Sequence, residues 1–599
     1  MPPIRRAHRQ LFASLATFAF TLTVAFSQTA FTPNDPYFHS GTNAGLPTGY
    51  YGSWHLVNQM PVSSVNAGLD VNILGAWARG LTGSGVIIGI LDNGMQADHP
   101  DLASKFVNAY SWDFGRTQAE NIADTFRGQP VLTEDNHGTA VAGVAAATGG
   151  NALGLTGTAP YALVASQRVF GFGALPDDHT QDEYQAASIL YQGQLDANGQ
   201  PDPYTAPDWN TVPIRVKNHS YGVSVAYASQ PNLTDALAES ASHGVIHIVS
   251  AGNQAVTYTN PWPTEDATKA SLSGSKDVIT VSSLDSTGKK SIYSSYGANI
   301  FVTALSDGSE NEYFIATTDR TTKTFGYNGA DPYFTTDGDY ASDFGGTSSA
   351  APLVSGIMAL GVEARPDLDV RLAKHALALT SRTVDSSDSS WVTNAAGYHF
   401  SNKYGFGLID ADAFTMSLQS GLAISSGQVA REENIAVNRT FSNSTSLLEN
   451  YVANFDNALP LEYVKVSLTI NGLKTDWTDY TENGGSIMGD FSAWITSPDN
   501  TRYQLFFDDR NIPDEYWESR RSYSSDTLAW DFTSYAYWGE SLNGLWTIEL
   551  SNFALDAGVT WENFSFEAGQ GRILVVPEPS TGMLVAIGFL FLLRRRSRR

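Results

Sequence analysis

Apolar positions fall into two regimes along the chain. In the first, Val86, Ile87, Ile88, Ile90 and Leu91 place five β-prone aliphatics in the seven positions before Asp92. An unbroken apolar run of that length reads as a strand buried on both faces of a parallel sheet. Residues 245–253, Val-Ile-His-Ile-Val-Ser-Ala-Gly-Asn, read the same way and end in a tight turn. Residues 136–147, Asn-His-Gly-Thr-Ala-Val-Ala-Gly-Val-Ala-Ala-Ala, predict a helix of small residues that packs closely on a sheet. Residues 344–360 open on Phe-Gly-Gly-Thr-Ser-Ser-Ala-Ala-Pro and run into an apolar helical stretch. Gly345 and Gly346 permit a tight turn there, and Pro352 is expected in the first helical turn, where its missing N–H is not needed.

Beyond a Gly/Ser-containing connector near 419–430 the period changes. Lys465-Val466-Ser467-Leu468-Thr469-Ile470 and Phe491-Ser492-Ala493-Trp494-Ile495-Thr496 alternate with turn signals between them, the pattern of a β-sandwich. The expected fold is therefore α/β, a parallel sheet flanked by helices, followed by an all-β sandwich. At 599 residues, two or more folded units are expected.

The two ends follow neither pattern. Arg5, Arg6 and Arg9 precede an apolar stretch from Leu11 to Phe26, and Ala25-Phe26-Ser27 supplies small residues for cleavage. The run is short for a span of ~20 residues, which favours a cleaved signal peptide over 1–27 rather than an anchoring helix. At 575–599, Val576-Pro577-Glu578-Pro579 precedes an apolar run from Met583 to Leu593 and an arginine cluster. A rigid polar stop, a short membrane-seeking helix and a cationic tail make a tripartite sorting signal, with a plain tail anchor as the alternative. These residues resemble the PEP-CTERM signal of Gram-negative bacteria. The resemblance implies an exosortase-like sorting enzyme as partner and transient inner-membrane contact through the C-terminal helix. It also implies a final location outside the cell or on the outer envelope.

Charge changes the picture by exclusion. Without its two ends the chain holds 60 acidic against 27 basic residues, about −33, which argues against nucleic acid as a partner. Cysteine is absent, so disulfides, thiolate metal sites and a cysteine nucleophile are all excluded.

Four residues carry candidate chemistry. Asp92 ends its strand, where open α/β sheets place ligands and catalytic groups. His137 opens the small-residue helix, Asn253 offers an amide just past the second strand, and Ser348 lies at the positive end of the last helix. Each alone is unremarkable, since an Asp in a turn, a structural His, a buried Asn or a serine cap is common. Together, Asp, His and Ser stand in the chain order of subtilisin, each with its own local signature.

These motifs resemble the subtilase family across roughly residues 34–412. Asn34-Asp35-Pro36, Trp54-His55-Leu56, Leu69-Asp70-Val71-Asn72 before Ala76-Trp77, and the closing Tyr404–Ala411 resemble its kexin and furin branch. The resemblance implies a subtilisin-like peptidase domain over 34–420 and a P domain over 430–570. It further implies a serine endopeptidase acting on protein or peptide substrates through an acyl-enzyme. Ser348 would be the nucleophile, His137 the base, Asp92 its orienting partner and Asn253 an oxyanion donor. Ser220-Tyr221-Gly222 would pair with substrate, and Ser250-Ala251-Gly252 would form the opposite wall of the primary specificity pocket. Asp35, Asp101, Asn151, Leu153 and Leu155 would hold a structural Ca²⁺. His219 and His247 read as structural.

Two departures stand beside the resemblance. The peptidase region starts about six residues past the expected signal cleavage, where subtilases carry a folding prodomain. Val223-Ser224-Val225 occupies positions that are acidic in kexins, which puts cleavage after paired basic residues in doubt. A binding protein that keeps the fold without turnover is the alternative from another class, and the four motifs give it no support.

Overall fold

The computed structural model describes residues 30–38, 52–58, 68–171, 179–222, 226–255, 266–307, 313–321, 326–327, 338–442, 446–474, 487–508, 526–554 and 558–575. The expected signal peptide, Val223-Ser224-Val225 and the C-terminal apolar run lie outside these residues. Among the described residues no helix is long and apolar enough to cross a membrane.

Seven strands build one parallel sheet: β1 (Ile87–Asp92), β2 (Trp112–Asp113), β3 (Leu163–Arg168), β4 (Ile214–His219), β5 (Ile246–Ser250), β6 (Val278–Leu284) and β7 (Ile300–Leu305). Their order is β2-β3-β1-β4-β5-β6-β7. Both apolar runs read from the sequence are interior strands, with β1 between β3 and β4, and β5 between β4 and β6. Each is buried almost end to end because both faces are covered.

The helices are α1 (Leu74–Ala78), α2 (Gln118–Ala123), α3 (His137–Ala146), α4 (Gln181–Leu190), α5 (Pro231–Ser242), α6 (Thr347–Ala364), α7 (Val370–Thr380) and α8 (Ala411–Gln419). Strand alternation sends neighbouring side chains to opposite faces. Ile248 packs in the main core with residues of α3 and α6, while Val249 joins Ile189 of α4 and Leu233 of α5 in a separate cluster. α6 is buried at every residue from Ser349 to Val362. A hairpin of Ile315–Thr318 and Tyr340–Phe344 lies on α3, with Thr317 and Thr318 donating to the carbonyls of Ala140 and Thr139 (2.6 and 2.7 Å).

Pro352 corrects one expectation. α6 starts at Thr347, so Pro352 sits inside the helix rather than in its first turn. It cannot donate to the carbonyl four residues back, which is that of Ser348.

The C-terminal region is the expected antiparallel pair of sheets. One runs Gln428–Thr440, Thr560–Gln570, Leu461–Asn471, Thr527–Ser534, and the other Ser446–Ala453, Gly544–Asn552, Phe491–Thr496, Arg502–Phe506. Aromatic side chains fill the space between them, with Phe506 stacked on Phe532 at 4.2 Å and Trp546 against Phe566 at 5.1 Å. The sandwich seats on the first region through buried polar contacts. Glu462 accepts from Arg371 and is hydrogen-bonded to His375, Lys374 donates to Tyr535, and Trp530 donates to the Thr268 carbonyl.

Candidate active site

Asp92 ends β1 with its side chain 1% exposed, and His137 is the first residue of α3. The His137 Nδ1–H donates to the Asp92 carboxylate, at 2.8 and 3.0 Å from its two oxygens. Asn93 closes the joint: its N–H donates to Asp92, and its side-chain oxygen accepts from the Gly138 N–H (both 2.8 Å). Gly138 is required at this point. A Cβ there would lie 2.4 Å from the Gly94 carbonyl oxygen and 3.0 Å from the Asp92 Cβ, so any side chain would push the helix start away from the carboxylate.

The His137 ring packs edge-on against Phe344 at 5.5 Å. Burial pulls its pKa down, but the charge and hydrogen bond of Asp92 outweigh burial and hold it above the ordinary 6.5.

Ser348 is the second residue of α6, after Gly346 at φ +77°. Its hydroxyl donates to the Ser220 carbonyl (3.2 Å), and no hydrogen bond joins it to His137. Ser220 reciprocates, its own hydroxyl donating to the Ser348 carbonyl at 3.0 Å. This is the carbonyl that Pro352 leaves without its donor four residues on. Asn218 donates to the Ser220 hydroxyl, and Ser355 donates to the Asn218 oxygen (both 2.9 Å). A polar chain thus runs from β4 to the helix that carries Ser348. The sequence reading gave Ser220 only a substrate-pairing role. The signal that could have found this second one is a proline four residues after a candidate serine, which leaves an orphan carbonyl beside it.

Asn253 is exposed just past β5. Its side-chain oxygen accepts from the Thr347 N–H and hydroxyl (2.9 and 2.8 Å), which fixes the amide's orientation. Its nitrogen lies 2.9 Å from the point a Gly346 Cβ would occupy, and the Ser348 N lies 3.5 Å from the same point. Two N–H donors therefore border one small space beside Ser348. Asp307, missed in the sequence, holds the turn from behind by accepting from the Gly346 N–H at 2.7 Å and from the Tyr293 hydroxyl.

Ser220, Tyr221 and Gly222 lie across from Ser250, Ala251 and Gly252, and all but Ser220 line one narrow slot. A second, larger cavity of about 480 Å³ shares Tyr221, Gly222 and Leu272 with the slot and reaches His137. His219 and His247, read as structural, are fully buried and hydrogen-bonded to each other at 3.0 Å. Burial, helped by the nearby Lys217 charge, lowers His219 to about 3, so both rings stay neutral.

The expected calcium residues also meet. Asp35 and Asp101 are fully buried. Asp35 accepts from the backbone of Gly150, Asn151 and Ala152 and from the Thr156 hydroxyl. Asp101 accepts from the Asn151 amide nitrogen (2.8 Å), the Leu155 N–H and Tyr340. The Asn151 oxygen is taken by the Leu153 N–H. Burial, with some repulsion from Asp35, raises the Asp101 carboxyl to about 6. Among the described residues no three His, Cys, Asp or Glu side chains are grouped to hold a metal.

Parallel sheet, buried carboxylate with its imidazole partner, and helix-borne serine define an α/β protein with a polar cluster at the C-terminal edge of its sheet. The chain belongs to the subtilase family, whose model matches residues 83–407. Residues 485–567 match the proprotein convertase P-domain. Residues 575–599 match the PEP-CTERM protein-sorting motif, which points to export, exosortase processing and cell-surface sorting in Gram-negative bacteria.

The chain is similar to the proprotein convertase subtilisin/kexin type 5 of Rattus norvegicus, 27% identical over 491 residues, covering 80% of this chain and 23% of that protein. It is also similar to the dibasic-processing endoprotease of Schizosaccharomyces pombe, 26% identical over 530 residues, covering 83% of this chain and 62% of that one. The chain thus spans less than two thirds of either relative. The fold is that of a serine protease of Aeromonas sobria, with a TM-score of 0.65 at 22% identity over 89% of this chain and 99% of that one.

The electrostatics of the pair can be checked directly. An NMR titration of His137 should give a midpoint above 6.5. In Asp92→Asn, burial acts without the opposing charge and the midpoint should fall below the wild-type value. An unchanged midpoint would contradict the coupling.

Proposed function

We propose that the chain is an exported serine endopeptidase that hydrolyses peptide bonds in protein substrates through an acyl-enzyme intermediate. The observation that carries this reading is the hydrogen-bonded Asp92–His137 pair beside a serine whose neighbouring N–H donors face an open space. Asp92, His137, Ser348 and Asn253 are the catalytic set.

Catalysis begins with the Ser348 hydroxyl leaving the Ser220 carbonyl and turning toward the free nitrogen of His137. Such bonds often tighten only when substrate binds. His137 takes the hydroxyl proton as the Ser348 oxygen attacks the scissile carbonyl. Asp92 stabilises the imidazolium that results and holds its tautomer. The negative charge that develops on the carbonyl oxygen is met by the Asn253 amide and the Ser348 N–H, both fixed beforehand. His137 then protonates the departing amine, and water repeats the sequence on the ester to free the acid and regenerate Ser348.

Substrate runs as an added strand along Ser220-Tyr221-Gly222, with its side chain against Ser250-Ala251-Gly252. The peptidase unit over 34–420 and the P domain over 430–570 act as one body, supported by the buried contacts of Glu462 and Lys374. The C-terminal signal gives transient inner-membrane anchoring before an exosortase-like enzyme removes it, and the mature protein acts outside the cell or on its outer envelope.

Subtilases generally bind structural calcium. In this chain Asp35, Asp101 and Asn151, with the loop carbonyls of Leu153 and Leu155, would hold one ion. Two adjacent, fully buried carboxylates suit a divalent cation that prefers oxygen. Asn151 presents its amide nitrogen to Asp101, and turning the amide over would present its oxygen instead.

Against an unfolded protein substrate, the wild-type chain should turn over and Ser348→Ala should not. Asn253→Ala should retain the fold and lose about 10²–10³ in turnover, the magnitude measured for such a donor in subtilisin. Equal rates in wild type and Ser348→Ala would refute the reading. Calcium should raise the melting temperature of the wild type by several degrees and have no such effect on Asp101→Asn. A melting temperature insensitive to calcium and to chelator would remove the ion from the account.

A further inference from the structure

We propose that this site selects a small, uncharged side chain at the residue whose carbonyl is cut, with Leu272 as the floor that sets the choice. Tyr221 is then the partition that keeps bulky side chains in the neighbouring cavity. This inference rests on the endopeptidase reading and adds the substrate class to it.

The slot between the Tyr221-Gly222 and Ser250–Gly252 walls has a free volume of about 10 Å³. That is roughly the space one water molecule requires. Its floor comes from the segment before β6, where Ala267, Ala270, Leu272 and Ser273 close it. Ala267 and Leu272 are 1% and 2% exposed, and Leu272 also packs with Leu233 and Val249 in the core between the sheet and α5. The floor is therefore held by packing and cannot drop to admit a long side chain without opening a core cavity.

No carboxylate is among the described lining residues of the slot. The nearby Asp266 is turned elsewhere. It is fully buried, accepts from the Thr268 N–H and hydroxyl and from the Phe507 N–H, and interacts with the charge of Lys269. A lysine or arginine entering the slot would lose its water and find no counter-charge among the described lining residues. A side chain the size of alanine or serine displaces about one water and demands neither room nor charge.

The larger cavity offers the opposite terms. Val169, Phe170, Tyr184 and Leu233 give it an apolar lining, with the uncharged amides of Gln185 and Gln230 beside them. Glu134 is the one carboxylate among its described lining residues, grouped with Asn136 and His137. A bulky apolar side chain upstream of the cut fits this space.

Tyr221, Gly222 and Leu272 line both spaces, and Tyr221 brings the bulkiest side chain of the three to the boundary. The division is stiff because a buried chain holds the ring. Tyr221 is hydrogen-bonded to His219 (3.1 Å), His219 to His247 (3.0 Å), and His247 to the Ser240 hydroxyl of α5 (2.9 Å). The two histidines thereby gain a positioning role for the specificity wall.

The test is the cleavage profile of the full chain on a peptide library varied at the cut residue and upstream, run beside fluorophosphonate labelling of the same preparation. Cleavage after alanine, glycine or serine should exceed that after lysine, arginine or phenylalanine by at least about tenfold in kcat/KM. Tyr221→Ala should narrow the alanine-to-phenylalanine ratio by about tenfold, because the two spaces merge. If Tyr221→Ala takes no label, the wild-type profile alone decides. A labelled wild type that cleaves best after lysine, arginine or a bulky residue overturns the selectivity and leaves the endopeptidase reading intact. A folded wild type that neither cleaves nor labels overturns both.

Discussion

A carboxylate cut off from solvent must be met by donors, and the Asp92 side chain is the point from which the active site is laid out. Its partners are the His137 ring and the Asn93 N–H, and Asn93 in turn holds the first N–H after His137. One short network therefore ties the end of β1, an interior strand, to the start of α3. It closes only because Gly138 has no side chain to strike the strand. The same network sets the chemistry. Burial alone would make His137 a weak base, and the charge placed beneath it raises its proton affinity instead.

The serine is placed by a different device. Pro352 leaves the Ser348 carbonyl without its donor four residues on, and Ser220 supplies one from just past β4. The helix that carries Ser348 is thus referenced to β4 through Ser220, Asn218 and Ser355. A defect that would cost helix stability elsewhere becomes the contact that ties Ser348 to the segment after β4. Asp307 and Asn253 perform a similar task on the turn before it, so the backbone around Ser348 is over-determined.

Much of this was readable in the residues. The aliphatic runs before Asp92 and Ser250, the small-residue helix after His137 and the period-two strands past residue 460 each became the element their pattern implied. Local patterning suffices there because both faces of an interior parallel strand are apolar, whatever packs on them. Contacts between distant segments left no local trace. Trp530 reaches the Thr268 carbonyl, Asp307 lies behind Gly346, and Glu462 meets Arg371 and His375, all across separations that no window of sequence displays. Pro352 was misplaced because the helix begins directly after Gly346, several residues earlier than a helix-initial proline would require. The two walls of the slot were legible as segments. Its volume and its uncharged floor depend on how the 266–273 segment folds under them.

The most direct test of the account is to treat the folded chain with a fluorophosphonate and map the modified residue by mass spectrometry across pH. The account predicts a single adduct on Ser348, formed at a rate that falls as pH drops through the raised pKa of His137. A folded, calcium-supplied protein that forms no adduct, or forms it on another residue, would contradict the assignment of this site as a working triad.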